Sequence, residues 1–587
     1  MKSVWKSILC IALAALMLTG CSQTGQDGSS SVSEQRTTED LQEQSSSVAT
    51  DNGEVSFDEN GVSPAGQFPI VEEPITISVM VPTQQSVEDL STNDFTAWYE
   101  DLTNIHVEWN VVPSENASEK LNISLSSGDM PDIYANCGVT QSQQQIYGPQ
   151  GAFIALNEYI EKYGENFQLM LDKVEGLEKM MTLTDGNIYS LPSVEKCVHC
   201  EGSNKLWVNK KWLDALDMEL PTTVDEFTEM LRRFKEEDPN GNGKADEIPL
   251  LTFEGGWHTG ALSGWLTNPF VYTTPDQNYM YVENGQIQLS YMQDGWRDAM
   301  TWLHQLYEEG LFYDQSLVIN QDQARQLCAA DGETSNVGCF PSGTPNTVPG
   351  DDASQWGDYV TLSPIEGPAG RLATYQPYTN VYSTELTITS ACENPAAAFR
   401  WCVEQYSRDI NVRKRYGVEN ENWKKIIPGE DGVSADAIDL NSGEPAEIET
   451  FIDGIGWSEQ QNYCWRDVPG VRCDTPEVPE LRYNRLNTGD YDTNYEIRIV
   501  EDTIDYMQDY YPDIDMCVMP LIYNEEQAAT LANTETVVQS YVDEMAAAFI
   551  TGTSDPEADW DAYLNELSVK GVDQLLEIYQ AAYDARS

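Results

Sequence analysis

The chain of 587 residues is too long to fold around one hydrophobic core, so at least two lobes are expected. Its 32 Lys and Arg against 97 Asp and Glu give a formal net charge of −65, which repels phosphate backbones and excludes nucleic acid as a partner. A hydrophobic content of 40% with 15 Trp and 30 Tyr is typical of a folded protein.

The first residues have the features of a signal peptide. Lys2 and Lys6 form a positive start, and the apolar run "ILCIALAALML" is too short to span a bilayer comfortably. "LTGC", which ends at Cys21, resembles a bacterial lipobox, in which the new N-terminal cysteine carries lipid. An ordinary secretory signal with a coincidental cysteine is the alternative. We predict a signal peptide over 1–21 and a lipid anchor on Cys21, which places the protein on the outer face of the cytoplasmic membrane.

A tether and the start of an α/β lobe follow. Residues 22–70 are polar and poor in large apolar side chains, which predicts a disordered tether. Alternation in "ITISVMVP" predicts a strand over Ile75–Pro82, a helix-like segment follows, and "IHVEWNVVP" predicts a second strand. This order indicates a βαβ unit with a parallel sheet. A further strand begins at Asp132, after a turn.

A helix predicted from Val224 leads into the loop "DPNGNGKADEIP" at 238–249. Thr223 and Glu226 fit a capping box at its start. Counted from the first aspartate, the loop has the ligand spacing of the first part of an EF-hand, with Gly243 at the sharp turn. The candidate ligands are Asp238, Asn240, Asn242, the backbone carbonyl of Lys244, Asp246 and Glu247. A solvated turn is the alternative; otherwise hard oxygen ligands favour a structural Ca²⁺.

The block from Lys205 to Leu250, "KLWVNKKWLDALDMELPTTVDEFTEMLRRFKEEDPNGNGKADEIPL", resembles the extracellular solute-binding lipoproteins that serve carbohydrate ABC importers in Gram-positive bacteria. "SSGDMPDIY", "LTDGNIYSLP", "MTWLHQLYEEGLFYDQSL", "NPAAAFRWCVEQYS" and "RYGVENENWK" agree with it in order. The resemblance covers most of the chain from Ile75 to about Lys424. The family uses the same D-x-N-x-N-x-K-x-D-E arrangement as its calcium site, with Glu247 in place of the usual position-12 carboxylate.

The resemblance implies a two-lobe α/β clamshell of the periplasmic-binding-protein type. A glycan would lie in the cleft and be delivered to membrane permease subunits, and a monomer is expected. "YSLPS" and "STELTITS" look like chain crossings between the lobes. The predicted organisation is a first lobe over 71–190, the first part of the second lobe over 191–382, and segments over 383–587 that complete both lobes.

A sugar site needs aromatic platforms for apolar C–H faces and polar groups for hydroxyls. "GGWHTGALSGWL" places Trp257 and Trp265 in a Gly-rich segment, where large rings can project as platforms. Burial in the core or at a lobe interface is the alternative for each ring. Asp132, after its turn, and Tyr189, beside the first predicted crossing, are further candidates for ligand binding.

The motif "CVHC" from Cys197 to Cys200 admits several interpretations. With His199 it could bind zinc or perform redox chemistry, but the sequence contains no second CxxC pair to complete four ligands. A local disulfide or free thiols is the interpretation that we favour. Ten cysteines remain after Cys10 and Cys21 are set aside, an even number in an exported protein.

The sequence predicts a binding protein rather than an enzyme. It contains no HExxH, GxSxG, P-loop or GxGxxG motif and has four His in total. A surface glycoside hydrolase or lyase needs only two carboxylates and stays an alternative. A peptide-binding lipoprotein, which would share the clamshell and differ in ligand, is another.

Overall fold

The computed structural model describes residues 55–328, 335–350, 352–379, 381–430, 432–456, 459–466, 468–475, 478, 481–483, 485–486 and 491–586. The predicted signal peptide, Cys21 and most of the predicted tether lie outside these residues. None of the helices in the described ranges is both long enough and apolar enough to cross a bilayer.

Short strands and amphipathic helices alternate along the chain. The strands are β1 Ile75–Pro82, β2 Ile105–Val112, β3 Ile133–Ala135, β4 Leu191–Glu195, β5 Leu206–Asn209, β6 Ile248–Leu250, β7 Met280–Glu283, β8 Gln286–Leu289, β9 Val337–Pro341, β10 Tyr359–Leu362, β11 Val381–Ile388, β12 Trp423–Lys425, β13 Ile448–Thr450, β14 Cys473–Asp474 and β15 Arg485–Leu486. The helices are α1 Asp94–Thr103, α2 Ala117–Ser127, α3 Gln141–Tyr147, α4 Asn157–Tyr163, α5 Glu165–Lys173, α6 Leu177–Met181, α7 Val198–Glu201, α8 Lys210–Ala215, α9 Val224–Glu236, α10 Asp294–Glu308, α11 Gln321–Cys328, α12 Ala353–Trp356, α13 Pro395–Val403, α14 Arg408–Tyr416, α15 Tyr495–Tyr506, α16 Glu525–Thr551, α17 Trp560–Lys570 and α18 Val572–Asp584.

The first lobe is built around a six-stranded sheet in the order β14-β4-β11-β3-β1-β2. β1 pairs in parallel with β2 and with β3, so the predicted βαβ unit is present. β11 pairs antiparallel with both β3 and β4, although it lies about 190 residues after β4 in the sequence. The sheet is therefore completed by chain that returns from the second lobe.

Aromatic side chains from distant segments fill the core of the first lobe. Phe95 stacks on Tyr99 at 5.4 Å between ring centroids, and Trp465 meets Phe95 edge-on at 4.7 Å. The Tyr99 hydroxyl donates to the carbonyl oxygen of Trp401 at 2.8 Å. Because these residues are nearly fully buried, the segments after β11 are part of this core.

The folded first lobe begins before residue 71, where we placed the end of the tether. Val62 and Ile70 are buried in the first-lobe core. Arg400 donates to the carbonyl oxygens of Ser63 and Pro64 and pairs with Glu404 at 2.6 Å. Because this stretch is mostly polar, its composition did not indicate that Val62 and Ile70 are buried.

The second lobe has a four-stranded sheet in the order β10-β5-β9-β6. Helix α9 covers it with Phe227, Leu231 and Phe234 fully buried, as the helical periodicity predicts. The Thr223 side chain caps this helix by accepting from the Glu226 amide at 3.2 Å. Long helix α16 packs against α10 and adds its apolar side chains to the same core.

The chain passes between the two lobes after β4, before β11 and again after β14, since β14 belongs to the first sheet and α15 packs against β10 of the second. Residues 196–205 connect β4 of the first sheet to β5 of the second, and residues 363–380 lead from β10 back to β11. "YSLPS" and "STELTITS" thus contribute β4 and β11 to the first sheet, and the crossings lie beside them. We call residues 196–205 the first crossing and residues 363–380 the second crossing.

Candidate functional site

Trp257 lies beside the first crossing, in the loop after the carboxyl end of β6. Its side chain is 41% exposed, although Trp is usually buried. The indole stands edge-on to the His199 ring, with 6.2 Å between centroids and an interplanar angle of 87°. Gly343 lies directly beneath it, because a Cβ at Gly343 would come within 2.1 Å of the indole. The ring is therefore supported on one side and open to solvent on another.

Trp265 lies in the second-lobe core. Its side chain is 3% exposed and packs against Phe227 at 5.5 Å between centroids. The alternative of buried packing therefore describes this residue, and Trp265 is left out of the site. The Gly-rich segment gave both tryptophans the same sequence signal, and only their depth in the lobe separates them.

Asp132 and Tyr189 lie at the amino ends of β3 and β4, away from the end of the sheet where the crossings begin. The Asp132 carboxylate accepts from the Ser78 amide at 2.7 Å and from the Ser78 hydroxyl at 2.9 Å, which ties β3 to β1. Tyr189 is buried, and its hydroxyl donates to Asp185 at 2.6 Å. Asp132 therefore links two strands and Tyr189 closes a local turn, and both are also left out of the site.

A polar network adjoins Trp257. The Ser203 hydroxyl lies 2.7 Å from Nε2 of His258, which in turn is 3.7 Å from a carboxylate oxygen of Asp276. Gln376 of the second crossing donates to the same Asp276 oxygen at 2.7 Å. Burial lowers the pKa of His258 below its usual value, against the opposing effect of the Asp276 charge. The Asp276 side chain is 53% exposed and can accept a ligand hydroxyl.

A cavity of about 580 Å³ opens next to this network in the second lobe. Its walls are the Gly-rich loop, the segment around Asp276 and one face of α16. Among its lining residues are Glu254, His258, Asp276, Tyr279, Gln539 and Asp543. Burial and the Asp543 charge raise the pKa of Glu254, and burial raises the pKa of Asp543. The lining thus combines the Tyr279 ring with carboxylate and amide groups that suit sugar hydroxyls.

The Ser203–His258–Asp276 group does not have the arrangement of a catalytic triad. In a triad the serine and the aspartate bind opposite nitrogens of the imidazole. Here both groups approach Nε2 of His258. Ser203 is also buried, with 1% of its surface exposed, so a substrate carbonyl could not reach its hydroxyl. This geometry does not activate a nucleophile.

Two further cavities lie elsewhere in the described structure. One of about 310 Å³ lies at the carboxyl end of β1, where Val87, Leu90 and the 45% exposed Val111 give it an apolar lining. A larger one of about 810 Å³ is bounded by the α5–α6 connection, the β7–β8 turn and residues 514–521. The 580 Å³ cavity is the one that shares a residue, His258, with the surroundings of the exposed Trp257.

The loop at 238–249 is closed by hydrogen bonds from its backbone amides to its own side-chain oxygens. Asp238 accepts from the Gly243 amide at 2.9 Å, and Asn242 accepts from the Lys244 amide at 2.8 Å. Gly243 has φ of 75°, which glycine adopts without strain. The Asn240 oxygen similarly accepts from the Asn242 amide at 2.9 Å.

Glu247 gives this loop a carboxylate oxygen that could bind a metal ion and that forms no hydrogen bond. Its Oε1 atom is buried without a hydrogen-bond partner. Burial, with smaller contributions from the charges of Asp238 and Asp246, raises the pKa of Glu247. A divalent cation among these three carboxylates would satisfy the buried oxygen and remove their mutual repulsion. The donor set therefore fits Ca²⁺, with Asn240, Asn242 and the Lys244 carbonyl as the remaining ligands.

The "CVHC" motif contains a disulfide between Cys197 and Cys200. The bridge spans the start of α7 within the first crossing. Among the described residues, the other eight cysteines are buried and form no disulfide. The local disulfide, one of the interpretations favoured from the sequence, is therefore present, and both thiols that a zinc site would need are bonded to each other.

Sequence reasoning proposed Trp257 as a platform and did not single out the residues around it. Ser203, Asp276 and Gln376 come from three distant segments, so no spacing rule could bring them together. His258 could have been proposed from the sequence, because it directly follows Trp257 in a Gly-rich loop. Asp543 comes from α16, nearly 300 residues later, and carries no local signal.

Two α/β sheets joined by crossings, with an exposed aromatic ring and a carboxylate-lined cavity beside them, define a clamshell binding protein. The sequence model of the bacterial extracellular solute-binding proteins matches residues 82–402, more than half of the chain. The protein therefore belongs to this family, whose members bind solutes and are not enzymes.

Two known solute-binding proteins are similar to this chain over most of its length. The chain is 25% identical over 528 residues to the fructooligosaccharide ABC transporter substrate-binding protein FusA of Streptococcus pneumoniae serotype 4, covering 88% of this chain and 91% of that protein. A solved extracellular solute-binding protein from Bifidobacterium longum subsp. infantis matches with a TM-score of 0.70 and 21% identity, over 88% of this chain and 98% of that one.

A solved structure of the FusA EF-hand mutant of S. pneumoniae, in complex with fructo-nystose, also matches. The TM-score is 0.62 at 22% identity, over 87% of this chain and 99% of that chain. These structures share the two-lobe fold. The FusA protein also has an EF-hand, the type of loop that we predict at 238–249.

Proposed function

We propose that this protein is the lipid-anchored binding component of an ABC importer and that it captures an oligosaccharide reversibly for delivery to the membrane permease. The observation that carries the proposal is that the exposed Trp257 ring lies 5.3 Å, between centroids, from the ring of His258, which lines a cavity together with Glu254, Asp276 and Asp543. The ring offers a face for sugar C–H groups, and the carboxylates accept from hydroxyls. The ligand of FusA, a relative aligned over most of the chain, makes fructooligosaccharides the first candidates.

We also propose that the loop at 238–249 holds a structural Ca²⁺ through Asp238, Asn240, Asn242, Lys244, Asp246 and Glu247. The unpartnered buried oxygen of Glu247 supports this assignment. The loop joins α9 to β6, so an ion bound there would hold the start of β6 in position in the second sheet. Its role is to stabilise the second lobe, because it has no contact with the cavity beside Trp257.

The experiment is a thermal-shift panel of fructooligosaccharides, other neutral oligosaccharides and short peptides. A ligand that binds only the folded protein raises the melting temperature, by an amount equivalent to about 2.7 kcal/mol at a hundred times its Kd. We expect one class of oligosaccharide to do so and chromatography to recover it intact. Shortened products would indicate a glycoside hydrolase or lyase, and a response to peptides alone would indicate a peptide-binding protein.

A further inference from the structure

The disulfide Cys197–Cys200 occupies a position where it can act on the ligand site. It lies in the first crossing, six residues before β5 and two residues after β4. Both cysteines are partly exposed, whereas the other eight described cysteines are buried. Burial raises the pKa of several of those thiols, to about 12 for Cys137 and Cys392, so they react poorly. Among the described cysteines, the bridge is where thiol chemistry is accessible.

One path from the bridge to the ligand site runs through His199. Its ring nitrogens lie 3.6 and 3.7 Å from Sγ of Cys197, and its ring stands edge-on to Trp257. Burial, followed by the charge of Lys205, lowers the pKa of His199 to about 3, so the imidazole is neutral. A neutral imidazole can accept a hydrogen bond from a Cys197 thiol, which does not exist while the bridge is closed.

A second path runs through the end of helix α7. The Glu201 carbonyl oxygen accepts from the Gln376 amide at 2.9 Å, and the Gln376 side chain donates to Asp276 at 2.7 Å. Because α7 has only four residues, the bridge between Cys197 and Cys200 constrains most of its length. The bridge therefore constrains two contacts of the site, that of His199 with the edge of Trp257 and that of Gln376 with Asp276.

We propose that Cys197–Cys200 is a reversible thiol–disulfide site that sets the affinity for the oligosaccharide, an inference that rests on the proposed function. A dithiol reductant transfers two electrons and two protons to the bridge. The S–S bond breaks, two thiols form, and the reductant leaves as its own disulfide. The closed bridge is the high-affinity state, because it holds His199 against Trp257 and fixes α7.

The test compares the full-length protein before and after treatment with dithiothreitol, under conditions that keep the fold. Mass spectrometry after alkylation is expected to find label on Cys197 and Cys200 and none on the eight buried cysteines. Calorimetric titration with the oligosaccharide identified by the panel is expected to show at least threefold weaker binding after reduction. The double variant Cys197→Ser/Cys200→Ser should bind as weakly as the reduced protein and should not respond to dithiothreitol.

Equal affinities of the oxidised and reduced proteins would overturn the proposal, as would a bridge that resists dithiothreitol in the folded state. Loss of the circular-dichroism signal on reduction would assign the bridge to stability alone and would overturn it as well. His199→Ala separates the two paths, since it removes the support of Trp257 but leaves the bridge intact. An oxidised protein that binds no oligosaccharide at all would instead contradict the proposed function.

Discussion

Trp257 is an exposed ring that rests on glycine and histidine neighbours. The indole lies over Gly343, where any side chain would occupy the same space, and His199 and His258 flank it. Exposing the apolar surface of this ring to water is unfavourable in free energy. Binding a sugar face to this ring would recover part of that free energy.

Trp257→Ala is expected to weaken oligosaccharide binding by about 1–3 kcal/mol, by analogy with other aromatic stacking platforms. The melting temperature should change little, because the ring is 41% exposed. Isothermal titration calorimetry measures the affinity. Trp265→Phe is the matched control and should lower the melting temperature while leaving the affinity unchanged, since its ring is in the core. The reverse pattern would assign the platform to Trp265.

Removal of the calcium ligands is expected to remove the sensitivity of the protein to chelators. At a hundred times its Kd the ion would add about 2.7 kcal/mol to stability, so a chelator should lower the melting temperature of the wild type. Asp238→Ala and Glu247→Gln should abolish that shift, and the exposed control Glu219→Gln should keep it. Unchanged stability and no calcium in the purified protein would identify the loop as a simple turn.

At the residue scale, the sequence supports a prediction where the candidate ligands are close together in the chain. The calcium site at 238–249 stays a prediction, and it could be made because its candidate ligands lie within ten residues. Trp257 and Trp265 could not be separated, because exposure depends on tertiary packing. Asp276 and Gln376 could not be found, since their contact depends on the second crossing.

At the level of elements, strand β4 ends in a buried ionic cluster beside the first crossing. The Glu195 carboxylate receives three guanidinium groups and one amide, from Arg415 at 3.2 Å, Arg472 at 2.5 Å, Arg485 at 3.7 Å and Asn441. Burial alone would raise the pKa of Glu195, but the charges of the three arginines outweigh it and lower the pKa to about 2. The cluster fixes the end of β4 from which the chain leaves the first lobe.

Glu195→Gln is expected to destabilise the protein by about 3–5 kcal/mol at neutral pH, because it leaves buried guanidinium groups without their anion. The folded pKa of Glu195 lies below the ordinary value of 4.5, so its stabilising contribution is complete above about pH 4.5 and is lost as the pH falls toward 2. Urea denaturation between pH 3 and 7 should show a steeper acid loss for the wild type than for the variant. The exposed Glu161→Gln should behave as the wild type; an equal loss in both variants would contradict this role for Glu195.

Elements with strong periodicity could be predicted with nearly correct bounds. β1 has the predicted bounds, and α9 begins at the predicted cap. Only half of the predicted capping box forms, because the Glu226 carboxylate accepts from Thr222 instead of Thr223. The sheet membership of β4 and β11 was not predictable, since it depends on pairing between strands far apart in sequence.

At the scale of the whole molecule, the crossings decide how the two lobes can move. The chain leaves the first sheet after β4 and returns before β11, and these strands are neighbours in the same sheet. β14, after which the chain leaves the first lobe again, also pairs with β4. The two crossings and this later passage therefore meet the first lobe at one place, which permits rotation about that place more readily than sliding. The Cys197–Cys200 bridge and the Glu195 cluster both lie there. We therefore expect a change in the geometry of the crossings to affect the proposed ligand site beside them.

The predicted anchor on Cys21 determines where this binding protein would work. The proposed delivery to a permease takes place at the membrane, where a lipid on Cys21 would hold the protein. We therefore expect Cys21→Ala, expressed in a bacterium with lipoprotein processing, to release the protein into the medium or to leave it unprocessed. Fractionation and intact-mass analysis distinguish these products from the lipidated wild type. Cys10→Ala, within the signal peptide, is the control and should stay anchored. A Cys21→Ala protein that is processed and still fractionates with the membrane would show that another group provides the attachment.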